Sequence, residues 1–248
     1  MRTMILGATA LVALAAGPAL AADLPVRGPV YKSAPPVVYN WTGFYGGVNV
    51  GYSWGRQSND WSAPNLFAVS EGQNMNGVIG GVQWGYNWQI GNWVLGTESD
   101  FQGSAQRGST TYCITVACGN TVVAEHRMPW FGTSRTRIGY LPTQTMLIYA
   151  TGGLAYGQVK SDYSLFAAGV GIGQSDFKDI RAGYTIGAGI ETAFGGGWSA
   201  KLEYLWVDLG TATGTTSIGG VVVDSYSSRV TDNIVRIGLN YKLGGGMF

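Results

Sequence analysis

The stretch WTGFYGGVNVGYSWG, residues 41–55, decides the fold. Its even positions, from Thr42 to Trp54, are mostly apolar or aromatic, whereas its odd positions are mostly glycine and small polar residues. Successive residues of a β-strand point to opposite faces of the sheet. We therefore predict a strand with one aromatic face and one narrow, glycine-rich face. The rest of the chain decides which of the two faces points outward.

The composition excludes several classes of protein. The 248 residues include 40 glycines and 12% aromatic residues, but only 12% are charged, and the formal net charge is +1. Such a composition is unusual for a soluble enzyme, and the near-zero charge gives no electrostatic footprint for nucleic acid. The single histidine, His126, is expected to be a solvated residue at the end of a loop rather than a haem or metal ligand. We predict no catalytic constellation and no cofactor.

The N-terminal residues have the features of a secretory signal peptide. Arg2 precedes a short apolar core at 4–16, and Ala19-Leu20-Ala21 is a small-x-small cleavage site. A proline-rich stretch without sustained periodicity follows the signal peptide. Three segments are therefore expected: a signal peptide at 1–21, a periplasmic leader at 22–39 and an outer-membrane β-barrel at 40–248.

Two cysteines, Cys113 and Cys118, agree with export to an oxidising compartment. Their spacing suits a small loop closed by a disulfide, and free thiols are the alternative. A metal site is not expected, because nothing near them in the sequence supplies the remaining ligands.

Eight segments alternate in the same way as the opening stretch. They are residues 41–55, 77–90, 93–102, 130–140, 146–158, 180–194, 198–207 and 233–243. The gaps between them are alternately long and short, and the short ones are 91–92, 141–145 and 195–197. We therefore predict an all-β fold, an eight-stranded antiparallel up-and-down transmembrane β-barrel with short periplasmic turns and long extracellular loops. The long loops are expected at 55–76, 103–129, 159–179 and 208–232.

A soluble barrel would turn the aromatic face inward, whereas a membrane barrel would turn it toward lipid. An eight-stranded barrel is only just wide enough for side chains to fill, so this many rings do not fit inside. The rings also fall near the two ends of the strands, as membrane-interface belts require. The predicted girdles contain Phe44, Trp54, Trp88, Trp93, Phe101, Trp130, Tyr140, Phe194, Trp198, Trp206 and Tyr241.

The charged residues of the strands favour the same orientation, because they fall on the glycine-rich face. Arg or Lys on a lipid face at mid-depth costs roughly 2–4 kcal/mol, whereas inside the barrel opposite charges can pair. The predicted lumen charge network contains Glu98, Asp100, Arg135, Arg137, Arg181, Glu191, Lys201, Glu203, Arg236 and Lys242. Its six basic and four acidic groups leave open a weak anion preference.

Several ordered motifs resemble one known family. The start ALA-ADLP, the opening stretch, FGTSRTRIGY, LIYATGGLAYG, GYTIGAGIETAF, WSAKLEYLWVDLG and the closing NIVRIGLNYKL look like the small alphaproteobacterial outer-membrane barrels, called outer-membrane immunogenic or porin-family proteins. The resemblance implies an eight-stranded barrel in the cell outer membrane with exposed loops and no enzymatic activity. Some members of the family are described as porin-like or haem-binding. The tail GGGMF departs from the pattern, because Gly244 and Gly246 break the alternation that usually precedes a terminal aromatic residue.

The sequence thus predicts a non-enzymatic barrel protein that contributes to outer-membrane structure and surface interactions. The alternatives are a small-solute porin, and a surface protein whose loops bind a ligand such as haem or a host component. The expected partners are outer-membrane lipid, lipopolysaccharide and the barrel assembly machinery, with no nucleic acid. The sequence predicts no oligomeric state.

Overall fold

The computed structural model describes residues 39–63, 67–113, 118–218 and 221–243. The expected signal peptide, nearly all of the expected leader and the GGGMF tail lie outside these residues. The described chain forms eight strands: β1 Gly43–Ala63, β2 Phe67–Ile90, β3 Trp93–Cys113, β4 Asn120–Thr143, β5 Met146–Ala167, β6 Val170–Gly195, β7 Trp198–Ile218 and β8 Val221–Leu243.

The eight strands close into one barrel in sequence order. Each strand is antiparallel to the next, and β1 pairs with β8 from Phe44↔Leu243 to Ser62↔Ser225, which closes the ring. The predicted eight-stranded up-and-down barrel is therefore confirmed. Among the described residues, the structure contains no helix with the length and apolarity needed to cross a membrane.

Tight turns join the strands at one end of the barrel, which we call the inner end. Gly196 and Gly197, between β6 and β7, have φ values of 59° and 83°. A type I′ hairpin turn needs a positive φ at both central residues, and glycine adopts it at little steric cost. The other inner connections are Gly91-Asn92 and Gln144-Thr145.

The strands are 21 to 26 residues long, longer than the 10 to 15 residues expected from the sequence. The segments expected as long loops are mostly continuations of the strands at the outer end. For example, Thr111 of β3 still pairs with Val123 of β4. The alternation that marks a lipid-facing strand fades there because the outward face of these hairpin extensions meets water instead of lipid, although inward residues such as Met75 and Met128 are buried in an apolar layer. Backbone pairing continues nevertheless.

Two of the eight strand pairings stop before the outer tips. The pairing of β2 with β3 ends at Asn76↔Arg107, and that of β6 with β7 ends at Tyr184↔Asp208. Beyond these points the wall divides into two four-stranded sheets, β3–β6 and β7-β8-β1-β2. The β6–β7 separation begins closer to the inner end and exposes the outer part of β6, whose residues 170–180 are all solvent-accessible.

The outer surface of the barrel is apolar and aromatic. Near the inner end, Trp93 packs on Tyr140 with ring centroids 5.4 Å apart, and Trp198 packs on Tyr241 at 4.9 Å. Further out, Phe101 stacks on Trp130 at 5.6 Å. All the residues predicted as girdles point away from the lumen, with Trp130 and Trp206 half-buried by neighbouring side chains.

The lumen is closely packed and layered. An inner apolar layer contains Trp41, Val94, Leu141, Leu147, Tyr149 and Ala193. An outer apolar layer contains Met75, Ile79, Met128, Phe131, Ala155, Val159, Leu205, Val207, Leu209, Val230 and Ile234. Glycine on the inner face makes room for these side chains: a Cβ at Gly187, for instance, would lie only 2.6 Å from Cδ2 of Leu205. Polar and charged groups occupy the level between the two layers.

Candidate functional site

Eight charged side chains meet at the middle of the lumen, and we call them the lumen network. All of them are almost completely buried. The members are Glu98, Asp100, Arg135, Arg137, Glu191, Lys201, Glu203 and Arg236. They come from β3, β4, β6, β7 and β8, and in each strand residue alternation turns them inward.

Arg135 joins opposite walls of the barrel. Its Nη2 lies 2.6 Å from Glu98 Oε1 and 3.0 Å from Asp100 Oδ2, both on the neighbouring strand β3. Its Nη1 lies 3.0 Å from Oε1 of Glu203 on β7, a strand that does not pair with β4. Because one guanidinium contacts carboxylates from both sides, the network spans the lumen instead of lining it.

The other cations of the lumen network share the same carboxylates. Arg236 Nη2 lies 2.6 Å from Glu203 Oε2 and 2.9 Å from Asp100 Oδ2. Lys201 Nζ lies 2.7 Å from Glu98 Oε1. Buried charges of opposite sign at these distances attract one another, which offsets part of the free energy that each loses on leaving water. Asp100 Oδ1 and Arg236 Nη1 are buried without a hydrogen-bond partner among the described residues.

Arg137 forms the part of the network nearest the inner end. Its Nη1 donates to Glu191 Oε2 at 2.9 Å, and its Nε donates to Asn87 Oδ1 at 2.9 Å. The guanidinium also lies over the rings of Tyr45 and Tyr149, 4.8 and 5.2 Å from their centroids. These contacts combine an ion pair with cation–π attraction.

Two residues predicted in the network lie elsewhere, so that part of the prediction is wrong. Arg181 is near the outer end, where its Nε donates to Asp179 Oδ2 at 3.3 Å. Lys242 is at the inner end and donates from Nζ to the carbonyl oxygen of Asn40. Residue alternation gives the face of a side chain but not its depth in the barrel. The remaining four cations and four anions balance, which removes the basis for an anion preference.

The sequence did not indicate the neutral groups that complete the network. Tyr45 donates its hydroxyl to Glu98 Oε2 at 2.8 Å, and Tyr149 donates to Glu203 Oε1 at 2.9 Å. Asn240 donates to Glu191 Oε1 at 2.8 Å and accepts from Gln83 at 2.6 Å. Their inward position follows from strand alternation, which could have identified them.

Trp41 closes the inner end of the lumen. Its backbone N–H donates to Gln89 Oε1 at 2.9 Å, and its indole Nε1 donates to the carbonyl oxygen of Gln144 at 3.1 Å. Both hydrogen bonds hold the ring against the inner apolar layer, where it is 3% exposed. The residue that begins the opening motif therefore acts as a floor rather than as part of a girdle.

The structure joins Cys113 and Cys118 in a disulfide at the outer tip of the β3–β4 hairpin. His126, on the same hairpin, was expected to be solvated, and that expectation is wrong. Its ring is 1% exposed, and Nδ1 lies 2.7 Å from Ser161 Oγ. Burial, and next the positive charge of Arg181, lower the pKa of His126 to about 4. A ring held in this way does not face an external ligand.

A pocket of about 400 Å³ lies beside His126 and Ser161 at the outer end. After the lumen network, this pocket is the second candidate site, because its size would admit a small molecule. The sequence did not predict it. Its lining residues are Gln57, Asn59, Val159, Ser161, Tyr163, Phe177, Lys178, Asp179, Arg181, Ala212, Thr213, Tyr226 and Ser228. In the part of the chain that the structure describes, no group of three or more His, Cys, Asp or Glu residues is arranged to hold a metal ion.

A closed eight-stranded barrel with an aromatic apolar exterior and a buried charged interior defines a transmembrane barrel of the outer-membrane class. Comparison with known sequences identifies the family. Residues 7–242 match the family model described as outer membrane protein beta-barrel domain, and the chain belongs to this family. It is an outer-membrane protein.

Relatives of known name agree with this assignment. The chain is 40% identical to the 31 kDa outer-membrane immunogenic protein of Brucella melitensis, over 98% of this chain and 100% of the relative. It is 31% identical to the 22 kDa outer membrane protein of Rhizobium leguminosarum bv. viciae, over 62% of this chain and 61% of the relative. The suspected alphaproteobacterial outer-membrane family is confirmed.

Among solved structures, the outer membrane protein OprG from Pseudomonas aeruginosa aligns with 82% of this chain and 98% of its own, with a TM-score of 0.46 and 10% identity. Neisserial surface protein A aligns with 82% of this chain and 98% of its own, with a TM-score of 0.38 and 13% identity.

Proposed function

We propose that the protein is a non-enzymatic, non-conducting barrel that contributes to outer-membrane structure and carries its outer hairpins at the cell surface. The sealed lumen is the observation that supports this proposal most. Arg135 and Arg236 contact carboxylates from both sides of the barrel, and an apolar layer lies on each side of the network. Ions would have to break several buried ion pairs in order to pass.

The balance of the lumen network argues against a porin. Four cations of the network face four anions at contact distance, so the network has no net charge that would select ions and leaves no wide polar passage at its level. The same pairing argues against an enzyme, because each carboxylate is held by a cation or a hydrogen-bond donor. A general acid or base needs a titratable group that can reach its substrate.

The outer hairpins supply the surface role. They extend beyond the outer aromatic belt, and the 31 kDa relative from Brucella melitensis is called an immunogenic protein. We infer that these extensions are the antigenic part of this protein, and that the belts contact outer-membrane lipid and lipopolysaccharide. The closing strand β8, from Val221 to Leu243, is the expected recognition element for the barrel assembly machinery.

Single-channel recording tests the proposal directly. Purified barrel is inserted into a planar bilayer, with a general porin as positive control and a gel-mobility assay to show that the sample is folded. We expect no conductance steps above those of the lipid alone. Reproducible nanosiemens steps from the folded protein would refute the sealed-lumen proposal and favour the porin.

A further inference from the structure

The slot between β6 and β7 begins at the outer aromatic belt. Tyr184 and Trp206 are packed against each other there, with ring centroids 5.5 Å apart, and the last β6–β7 pair, Tyr184↔Asp208, includes the same tyrosine. Beyond it, β6 remains paired only with β5, and β7 only with β8. The two backbones still touch at Ala182 and Gly210, and the wall opens sideways beyond that contact, above the level where the belt places the lipid headgroups.

The 400 Å³ pocket lies behind this slot. Five strands, β1, β5, β6, β7 and β8, supply its lining. One lining residue, Val159, belongs to the outer apolar layer that lies above the lumen network. A ligand can thus enter from the side or from the outer mouth, but the packed layer blocks its way into the lumen. The geometry is that of a binding pocket rather than of a passage.

The floor of the pocket presents amide and hydroxyl groups. Gln57 is 2% exposed, and its Nε2 donates to Asn59 Oδ1 and Ser228 Oγ, each at 3.1 Å. The other amide atom, Gln57 Oε1, is buried without a hydrogen-bond partner among the described residues. A buried acceptor left unpaired costs about 1–3 kcal/mol, so a small shift of the Gln57 side chain that let a ligand donor reach this oxygen would recover that free energy.

The two charged side chains on the lumen-facing side of β6 in this pocket, Asp179 and Arg181, compensate each other, whereas Lys178 is on the outward-facing side with Ile180. Arg181 donates from Nη1 to the carbonyl oxygen and Oγ of Ser228, at 3.1 and 3.3 Å, and its Nε lies 3.3 Å from Asp179 Oδ2. The guanidinium therefore acts as a strut between β6 and β8 and does not require an anionic partner. This arrangement favours a neutral ligand.

Aromatic rings form the side walls. Tyr163 and Phe177 meet edge to face with centroids 6.0 Å apart, and Tyr226 also lines the pocket. Phe177 is on the lumen-facing side of β6, yet it is 61% exposed because no β7 residue covers it. Aromatic faces for C–H groups, together with amides and hydroxyls that both donate and accept, match the chemistry of a sugar ring.

The geometry points to a binding site for a neutral saccharide in this pocket. The volume is within the roughly 300–1,000 Å³ of ordinary small-molecule sites. The sugar can come from a free oligosaccharide outside the cell or from a glycolipid headgroup in the outer leaflet, which the slot would admit sideways. This inference goes beyond the proposed structural role and is independent of whether the barrel conducts ions.

Titration of the refolded full barrel tests the inference. The probes are neutral hexose and N-acetylhexosamine disaccharides, delipidated lipopolysaccharide core oligosaccharide, and intact lipopolysaccharide in lipid nanodiscs, with inorganic phosphate as an anion control. Phe177→Ala removes a pocket wall. Ile180→Ala is the matched control, because Ile180 is on the same strand, is 66% exposed and points outward. Ala212→Trp fills the pocket without removing any contact.

We expect saturable binding of at least one sugar probe, with affinity at least ten-fold weaker in Phe177→Ala and Ala212→Trp and unchanged in Ile180→Ala. Binding of the free sugars would identify a soluble ligand, and binding of intact lipopolysaccharide alone would identify a headgroup. Three results would overturn the inference. They are the absence of saturable binding at millimolar sugar, equal losses of affinity in Phe177→Ala and Ile180→Ala, and binding of phosphate without binding of any sugar. None of these outcomes bears on whether the barrel conducts ions, which the single-channel recordings test separately.

Discussion

Replacing Arg135 by methionine removes the cation at the centre of the lumen network. Arg135 is fully buried and contacts Glu98, Asp100 and Glu203 at 2.6 to 3.0 Å. In Arg135→Met these carboxylates still contact Lys201 and Arg236, but they no longer contact the guanidinium that all three shared. Removing one partner of a buried ion pair costs about 3–5 kcal/mol, because the remaining charge stays out of water.

Arg127→Met is the matched control on the same strand. Arg127 Nη2 also contacts two carboxylates, Glu125 at 2.8 Å and Asp162 at 3.1 Å, but its side chain is 44% exposed. Exposed ion pairs contribute about 0–1 kcal/mol. The two variants therefore remove the same type of side chain and a similar set of contacts, and they differ in burial.

Urea unfolding in one detergent, followed by tryptophan fluorescence and gel mobility, measures the difference. With a denaturant slope of roughly 2 kcal/mol per M, the expected loss lowers the midpoint of Arg135→Met by about 1.5–2.5 M and that of Arg127→Met by less than about 0.5 M. The double variant Arg135→Met/Glu203→Gln should lose less than the sum of the single losses, since the contacts are shared. Equal midpoint shifts for Arg135→Met and Arg127→Met would refute the reasoning.

Three further predictions follow from the fold, the disulfide and His126. Unboiled protein from outer-membrane fractions should migrate differently from boiled protein on a detergent gel, because the closed barrel pairs its backbone internally; identical mobility would contradict the fold. Cys113→Ser/Cys118→Ser should change the urea midpoint of the barrel little, because the bridge closes only a hairpin tip, and mass mapping of the envelope protein should find the two cysteines linked; two free thiols would contradict the bridge. Burial holds the pKa of His126 at about 4, below its ordinary value of about 6.5, so the unfolded chain binds a proton between these values and the folded chain does not. The difference in stability between the wild type and His126→Gln isolates this contribution: it should be constant above pH 6.5 and should shift against the wild type by at most about 3 kcal/mol as the pH decreases to 4; a difference that does not change with pH would show that His126 is not responsible.

The membrane-spanning half of the barrel could be predicted from the sequence because lipid imposes a strict rule on it. Lipid-facing residues must be apolar, so the alternation is visible in the opening stretch and in its seven counterparts. Outside the membrane, outward-facing residues need not be apolar. The hairpin extensions beyond Phe101 and Trp130 keep their backbone pairing but lose the apolar face, so they look like loops in the sequence.

For the candidate site, the sequence predicts which face of the sheet each side chain occupies, but it does not predict how deep in the barrel that side chain lies. Alternation gives the side of the sheet that each charge occupies, and it brings Glu98, Arg135 and Glu203 inward. Depth depends on the register of neighbouring strands, which the pattern of one strand does not contain. Arg181 and Lys242 were therefore grouped with charges that lie at another level. The outer pocket could not be predicted, because it results from a strand pairing that stops early.

The lumen network is better understood as a device that specifies register than as a source of net stability. Buried ion pairs often contribute little net free energy compared with apolar packing. A one-residue slip of β4 along its neighbours would, however, turn Arg135 and Arg137 from the lumen to the lipid. At roughly 2–4 kcal/mol for each cation at mid-depth, that slip costs about 4–8 kcal/mol on one strand. It would also leave the carboxylates of β3 and β7 without those partners. Because cations on β4, β7 and β8 carry this penalty and the carboxylates of β3 and β6 carry a smaller one, the network rejects misregistered barrels more strongly than it stabilises the correct one.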